Sequence, residues 1–470
     1  MKNKRLPGTV PDGPGIIPAS GHDIANYTAR FGLASYQIQA VMRLDGKLDF
    51  ERLTRAVKLS ADEEPVLGCR FVEGNPPYWK RADDIDEGRF TSMVATDRLD
   101  TAMKRFLDSP LDMDKDLQLK VRLIRSGDCD TLCIKINHIC VDGAGVKEYL
   151  QILSRIYNRL AGEDREYVPT PRIGGRTDQD RLLKELGISG PLDGLTRLVT
   201  EHEAFKQGLD PQYLLPRSVW LYPTLQRGSN SVRCSVAKLR EGYVDVMYLY
   251  AKERGATIND LLLTAFYRAM FRISKPIYGI PMDLSSTTDL RRYLPDKKTV
   301  ALRNFSGGFF TKLARIKGEP FEETLARVAR ITKKIKDGYP GLFNALGGEH
   351  VERMAPFSTI PYYRLVQLSY DLQSLNPFNI TGTGMPGLSN LGFISEDLLK
   401  FGENTVTDAY LIPPAVRGPG FLVVAGTYNG VLTLTQSYYK GSIRRKDVER
   451  LLGKIRQELV DGCALGQRVM

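Results

Sequence analysis

The chain has 470 residues, of which 42% are hydrophobic and 26% charged, and a formal net charge of +11. This length exceeds what one hydrophobic core usually supports, so two domains are expected. No uninterrupted apolar run approaches the ~20 residues that span a bilayer, and no zinc-finger, RNP-like or basic-arm pattern accompanies the positive charge. We therefore expect neither a membrane span nor a nucleic-acid partner.

The six cysteines include no C-x-x-C pair and no metal-ligand spacing. In a chain of this size that predicts reduced thiols and no metal site. The basic N-terminus is not followed by the apolar core of a signal peptide. These features predict a cytoplasmic protein.

Residues 1–165 predict an α/β lobe. Residues 35–46 alternate as a strand does, and Asp49 is placed to cap the helix that follows. Strands are predicted at 65–74 and at 117–138, and a helical pattern begins after Asp142.

Residues 166–222 are polar and interrupted by proline and glycine, which predicts a linker containing short helices. Residues 223–470 then repeat the alternation of the first lobe. Thr257 and Asp260 are spaced as a capping box at the start of a long helix. Asn429-Gly430 joins two alternating runs, which predicts a hairpin with a type I′ turn.

The stretch 132–150 carries His138, Asp142 and Gly143, spaced as H-x-x-x-D-G, where a strand-like run gives way to a helix. An imidazole can accept a proton near neutral pH and suits a general base. We expect Asp142 to lock the loop through an arginine or backbone amides, and Gly143 to permit a tight turn. Free N–H groups at the helix start suit developing negative charge, as acyl transfer requires. The spacing alone leaves a catalytic and a structural histidine equally open.

The segment "NHICVDGAG" resembles the active-site motif of the CoA-dependent acyltransferase superfamily, which includes chloramphenicol acetyltransferase, condensation domains and alcohol acetyltransferases. Residues 280–310, "GLSNLGFIS" and the hairpin at 426–441 are similar to later segments of that group. The resemblance implies an α/β fold of two chloramphenicol-acetyltransferase-like sandwich lobes, arranged as a V-shaped pseudo-dimer. An interlobe tunnel would admit the acyl thioester from one face and the acceptor from the other.

The resemblance also implies roles for residues of both lobes. His138 would be the general base, Asp142 a structural carboxylate, and Gly143 a neighbour of the tunnel. The second lobe would line the tunnel with three residues, Ser389 being an oxyanion donor: Asn304, Ser389 and Asn390. Many condensation domains have two successive histidines, whereas this chain has Asn137 at the first position. Arg291 and Arg292 are expected to anchor structure, and a pairing with Asp142 would be informative.

The function implied is transfer of an acyl group from a CoA thioester, or from a phosphopantetheine-linked thioester on a carrier protein, to an alcohol or amine. No permanently bound cofactor is implied. The expected partners are a small-molecule acceptor and a carrier protein, and a monomer working in secondary metabolism is expected. The alternative is a non-catalytic condensation-like module that binds a carrier protein. A hydrolase using Cys140 as nucleophile is disfavoured, because it needs an independent base and only His138 is near, and because small buried thiols are common packing residues.

Overall fold

The computed structural model of the chain describes residues 15–30, 34–74, 76–85, 90–112, 115–161, 167–173, 177–187, 220–224, 231–342, 364, 368, 386–418 and 420–468. Most of the predicted linker, including its helical stretch 194–209, lies outside these ranges. In the described ranges no helix is both long enough and apolar enough to span a bilayer.

The helices alternate with strands along the chain. The helices are α1 (Gly21–Ala29), α2 (Phe50–Glu63), α3 (Leu99–Leu107), α4 (Gly143–Arg159), α5 (Thr177–Glu185), α6 (Tyr243–Glu253), α7 (Ile258–Ser274), α8 (Phe321–Lys336), α9 (Arg445–Gly462) and α10 (Leu465–Arg468). Short 3-10 turns lie at Pro65–Gly68 and Leu290–Tyr293.

Strands of the first part of the chain are β1 (Ile16–Pro18), β2 (Gln37–Leu44), β3 (Cys69–Val72), β4 (Tyr78–Arg81), β5 (Thr91–Ala95), β6 (Leu119–Ser126) and β7 (Cys129–Asn137). Those of the second part are β8 (Val232–Lys238), β9 (Pro281–Asp289), β10 (Ser306–Ala314), β11 (Pro386–Phe393), β12 (Lys400–Phe401), β13 (Asn404–Ile412), β14 (Phe421–Tyr428) and β15 (Val431–Tyr439).

Two six-stranded sheets organise the molecule. The first has the order β12-β13-β2-β7-β6-β5, and the second β10-β9-β11-β14-β15-β8. Helices α2 and α4 cover one face of the first sheet around Leu53 and Leu153. Helices α7 and α9 cover the second sheet around Phe266 and Leu452. The predicted mixed α/β class is confirmed.

Local signals in the sequence account for several element ends. Asp49 accepts a hydrogen bond from the amide of Arg52 at 3.0 Å and caps α2. Thr257 and Asp260 form the predicted capping box of α7. Asn429 and Gly430 have φ of 46° and 66°, and two positive φ values in succession are what a type I′ turn requires. These three predictions are confirmed.

The first sheet contains a strand from the second half of the chain. β13 comes from the second half of the chain, yet it pairs antiparallel with β2 in the first sheet, with Tyr410 opposite Val41. The segment after β11 therefore crosses between the sheets before β14 returns to the second. The domain boundaries near residues 165 and 222 stay predictions.

Candidate active site

The loop of His138 begins at the end of β7. The amide group of Asn137 donates to Gln118 at 2.6 Å, and its oxygen accepts from the backbone N–H of Ile139 at 3.0 Å. The N–H of His138 donates to the carbonyl of Tyr36 at 2.9 Å. Residues at the starts of β2 and β6 therefore hold the chain where β7 ends, so the position of His138 follows from the pairing of these strands.

The ring of His138 has a defined tautomer. Nδ1 lies 2.7 Å from the carbonyl oxygen of Val141, and a carbonyl can only accept, so Nδ1 carries the hydrogen. The neutral ring then keeps a lone pair on Nε2. Burial lowers the pKa of His138, because desolvation disfavours the imidazolium, although the Val141 carbonyl and Asp142 oppose this shift. Near neutral pH the ring is an unprotonated base.

Asp142 is the N-cap of α4 and is buried. One carboxylate oxygen accepts from the N–H of Gly145 at 2.8 Å. The other accepts from Arg291 and from the N–H of Phe305, each at 2.8 Å. Burial alone would raise the pKa of Asp142, but these donors outweigh it and lower the pKa below the ordinary value. The predicted contacts with an arginine and backbone amides are confirmed.

Arg291 ties Asp142 to the second lobe. Its guanidinium also donates to Asp289 at 3.1 Å, to the hydroxyl of Thr299 at 3.3 Å and to the carbonyl of Arg303 at 3.0 Å. Burial opposes the charge, but the two carboxylates outweigh burial and raise the pKa of Arg291. This pairing of a buried cation with a buried anion anchors the histidine loop, as expected for Arg291.

A cavity of about 140 Å³ lies between the lobes beside His138. Its polar wall comes from both lobes: His138, Asp142, Gly143, Lys147, Thr287, Thr288, Asp289, Ser306, Ser389 and Asn390. Its apolar wall is formed mainly by the ends of β13 and β14, with contributions from β2 and β11: Ile38, Leu391, Leu411, Ile412, Pro413, Pro414, Leu422 and Val424. The histidine and an apolar surface therefore face the same space between the lobes.

The residues predicted from the sequence do not all face this cavity. Gly143, Ser389 and Asn390 line it. A Cβ at Gly143 would lie 2.6 Å from a methyl group of Leu391, so a larger residue there would require the Leu391 side chain to shift. Asn304 is instead buried under the histidine loop, where its amide donates to the carbonyls of His138, at 2.8 Å, and of the next residue, at 2.6 Å. The predicted residues thus surround the histidine loop, five of them at the cavity and Asn304 on the side of the loop away from it.

Sequence reasoning missed Lys147 and Thr287. Lys147 lines the cavity and donates to the carbonyl oxygens of Leu391 and Phe393 across the lobes. It follows Gly143 by four residues and so lies on the same helix face, a spacing that would have indicated it. The hydroxyl of Thr287 donates to Ser389 at 2.8 Å, a contact between strands far apart in sequence that carries no local signal.

Cys140 lies in the same loop but is poorly suited to be a nucleophile. It is buried, its thiol donates to the carbonyl of Asn137 at 3.1 Å, and burial raises its pKa well above the ordinary value. The reactive thiolate is therefore disfavoured. Within the described part of the chain, no three histidine, cysteine or acidic side chains come together to hold a metal ion.

Residues 31–172 match the family model "Condensation domain". A plipastatin synthase of Bacillus subtilis (strain 168) is 23% identical over 319 residues, which cover 63% of this chain and 11% of that protein. A surfactin synthase of the same organism is 24% identical over 291 residues, which cover 58% of this chain and 7% of that protein. The chain therefore spans about a tenth of the length of these relatives or less.

Solved structures share the fold over nearly the whole chain. The TRI3 trichothecene 15-O-acetyltransferase of Fusarium sporotrichioides superposes with a TM-score of 0.71 at 15% identity, covering 99% of this chain and 100% of the other. The first condensation domain of the CDA synthetase superposes with a TM-score of 0.66 at 16% identity, covering 97% of each chain. The predicted resemblance is thus confirmed: residues 31–172 match the condensation-domain family model, and the chain has the fold of condensation domains and of an acetyltransferase.

Proposed function

We propose that the chain transfers an acyl group from a thioester to an alcohol or amine in the cavity between the lobes, with His138 as general base. The observation that carries this proposal is the orientation of the imidazole. Nδ1 donates to the Val141 carbonyl, so Nε2 keeps the lone pair beside a cavity lined by both lobes. A base held in one tautomer requires no rearrangement before it accepts a proton.

The proposed step conserves atoms and charge. Nε2 removes the proton of the acceptor as its oxygen or nitrogen attacks the thioester carbonyl carbon. The C–S bond then breaks, and the departing thiolate takes the proton from the imidazolium. Ser389 would stabilise the oxyanion, because its oxygen accepts from Thr287 and its own hydroxyl hydrogen is left to donate.

Two donors fit this proposal, an acyl-CoA and a phosphopantetheine-linked acyl thioester on a carrier protein. The family match of the first lobe supports the second donor, and the similarity in fold to an acetyltransferase supports the first. Asn137 supports a mechanism with one base, because both ends of its side-chain amide are engaged in holding the loop. The acceptor would be a small molecule.

Thiol release from a panel of acyl-CoAs, with pooled amines and alcohols, tests the proposal. We expect release that requires an acceptor in the wild type, a loss of at least about 10²-fold in His138→Ala, and near wild-type release in the loop control Cys140→Ser. Acceptor-dependent release that persists in His138→Ala would refute the role of His138 as base.

A non-catalytic condensation-like module that binds a carrier protein is the second candidate. The carrier-protein part of this candidate is supported by the match of residues 31–172 to the condensation-domain model and by the plipastatin synthase, of which the matched segment covers 11%. Equal binding of an acylated carrier protein by wild type and His138→Ala, without product from any thioester, would support this candidate. Product from the carrier-bound thioester in the wild type alone would support the transferase.

A further inference from the structure

Residues 299–305, which we call the bracing segment, run from the second lobe to the back of the histidine loop. The side chain of Asn304 donates to the carbonyl oxygen of His138 at 2.8 Å, and the N–H of Phe305 donates to Asp142 at 2.8 Å. The position of the bracing segment therefore determines the position of the histidine loop that it contacts.

Glu64 holds the bracing segment from the first lobe. It follows the end of α2, is fully buried, and accepts a hydrogen bond from the N–H of Leu302 at 2.9 Å. Its second oxygen lies 2.6 Å from the guanidinium of Arg172. Burial raises the pKa of Glu64 to about 8, although Arg172 and the N–H of Leu302 oppose this shift. A buried carboxyl group is stable only when such partners are present, so Glu64 and Leu302 are held in one relative position.

Arg172 completes the same connection. Its Nε donates to the carbonyl of Val300 at 2.9 Å, and its guanidinium also bonds Glu148 on α4 at 2.7 Å. Its backbone N–H donates to the carbonyl of Glu63 at 2.7 Å. Arg172 thus joins the end of α2, the middle of α4 and the start of the bracing segment.

We propose that Glu64 and Arg172 are positioning residues for His138 and act on it through the bracing segment. Neither side chain lines the cavity beside His138. The effect on turnover rests on the proposed function, whereas the effect on the imidazole does not. Loss of either side chain would let the bracing segment move, and with it Asn304 and the loop that sets the tautomer of His138.

NMR of the full chain labelled with ¹⁵N-histidine tests this directly, since the chain has four histidines and His138→Ala assigns the signal of interest. We expect Glu64→Ala and Arg172→Ala to shift the His138 ring signals and raise the share of the second tautomer. Glu64→Gln keeps an oxygen for the N–H of Leu302 and is expected to stay near wild type. Arg155→Ala removes a neighbouring ion pair with Glu63 and serves as the control.

Kinetics give the second measurement. We expect kcat to fall about tenfold to a hundredfold in Glu64→Ala, with KM changed less than about twofold, because misplacement affects the reacting geometry more than binding. Should Glu64→Ala fail to fold, Arg172→Ala decides, since its side chain reaches solvent. Folded variants whose His138 signals equal those of Arg155→Ala would overturn the proposal. Absence of turnover in the wild type would count against the proposed function and leave the NMR result to decide this inference.

Discussion

The ion pair between Arg291 and Asp142 connects the second lobe to the start of α4, and its removal should destabilise the protein measurably. In Arg291→Met the carboxylate stays buried but keeps the N–H donors of Gly145 and Phe305. Breaking a buried pair by removing one partner costs roughly 3–5 kcal/mol, and the two remaining donors place this case at the lower end. We expect a loss of about 3 kcal/mol in the free energy of unfolding.

Asp142→Asn should cost less, about 1–3 kcal/mol, because asparagine still caps the helix and Arg291 keeps Asp289 at 3.1 Å. Each single change already removes the whole ion pair between Arg291 and Asp142. The double variant Asp142→Asn/Arg291→Met should therefore cost less than the sum of the two, by roughly 0.5–3 kcal/mol.

Urea unfolding followed by tryptophan fluorescence provides the assay. Trp79 lies in the core of the first lobe and Trp220 in that of the second, so backgrounds with one tryptophan replaced by phenylalanine report each lobe. We expect both transitions to move, since the pair joins the lobes. The exposed neighbour Arg292→Met is the matched control. A cost below about 1 kcal/mol for Arg291→Met, or strict additivity in the double variant, would refute the reasoning.

Four further predictions concern pH and the cavity. The pKa of His138 is lowered and the neutral ring is the base, so the rate should rise with pH with a midpoint below about 6.5. A rise in rate with a midpoint above about pH 7 would contradict this. The lowered pKa of Asp142 in the folded state contributes stability that is fully present above about pH 3.9 and is lost as the pH falls through that folded-state pKa. Urea unfolding midpoints measured between about pH 2 and 5 would show this loss. In the cavity, Ser389→Ala should lower kcat by about 10²-fold with intact folding, and an unchanged kcat would exclude the oxyanion role. Gly143→Ala should displace the Leu391 side chain in the cavity wall and raise KM, with little change in the free energy of unfolding. Kinetics and unfolding of the same variant would measure both quantities.

Local signals account for much of the site. The alternation that ends at Asn137 and the cap at Asp142 are enough to place His138 between a strand and a helix. The same kind of signal locates the hairpin at Asn429-Gly430. Caps and turns depend on residues within about four positions of each other, so a single sequence contains what they need.

The resemblance adds what local patterns lack, namely two lobes and residues of the second lobe near the histidine. It predicts Ser389 and Asn390 beside the cavity, where they lie, but it does not distinguish them from Asn304, which lies behind the loop. Their spacing in the sequence gives no information about which side of the loop each approaches.

By itself, the sequence determined the strand, the cap, the turn and the chemistry that a histidine at such a junction can perform. Only the tertiary structure decided that Arg291 meets Asp142 across 149 residues, and that Glu64 contacts the bracing segment across 238. The physical reason is that periodicity and capping act over one or two turns of chain. Contacts between lobes depend instead on how two cores pack together and on which buried charges find partners there.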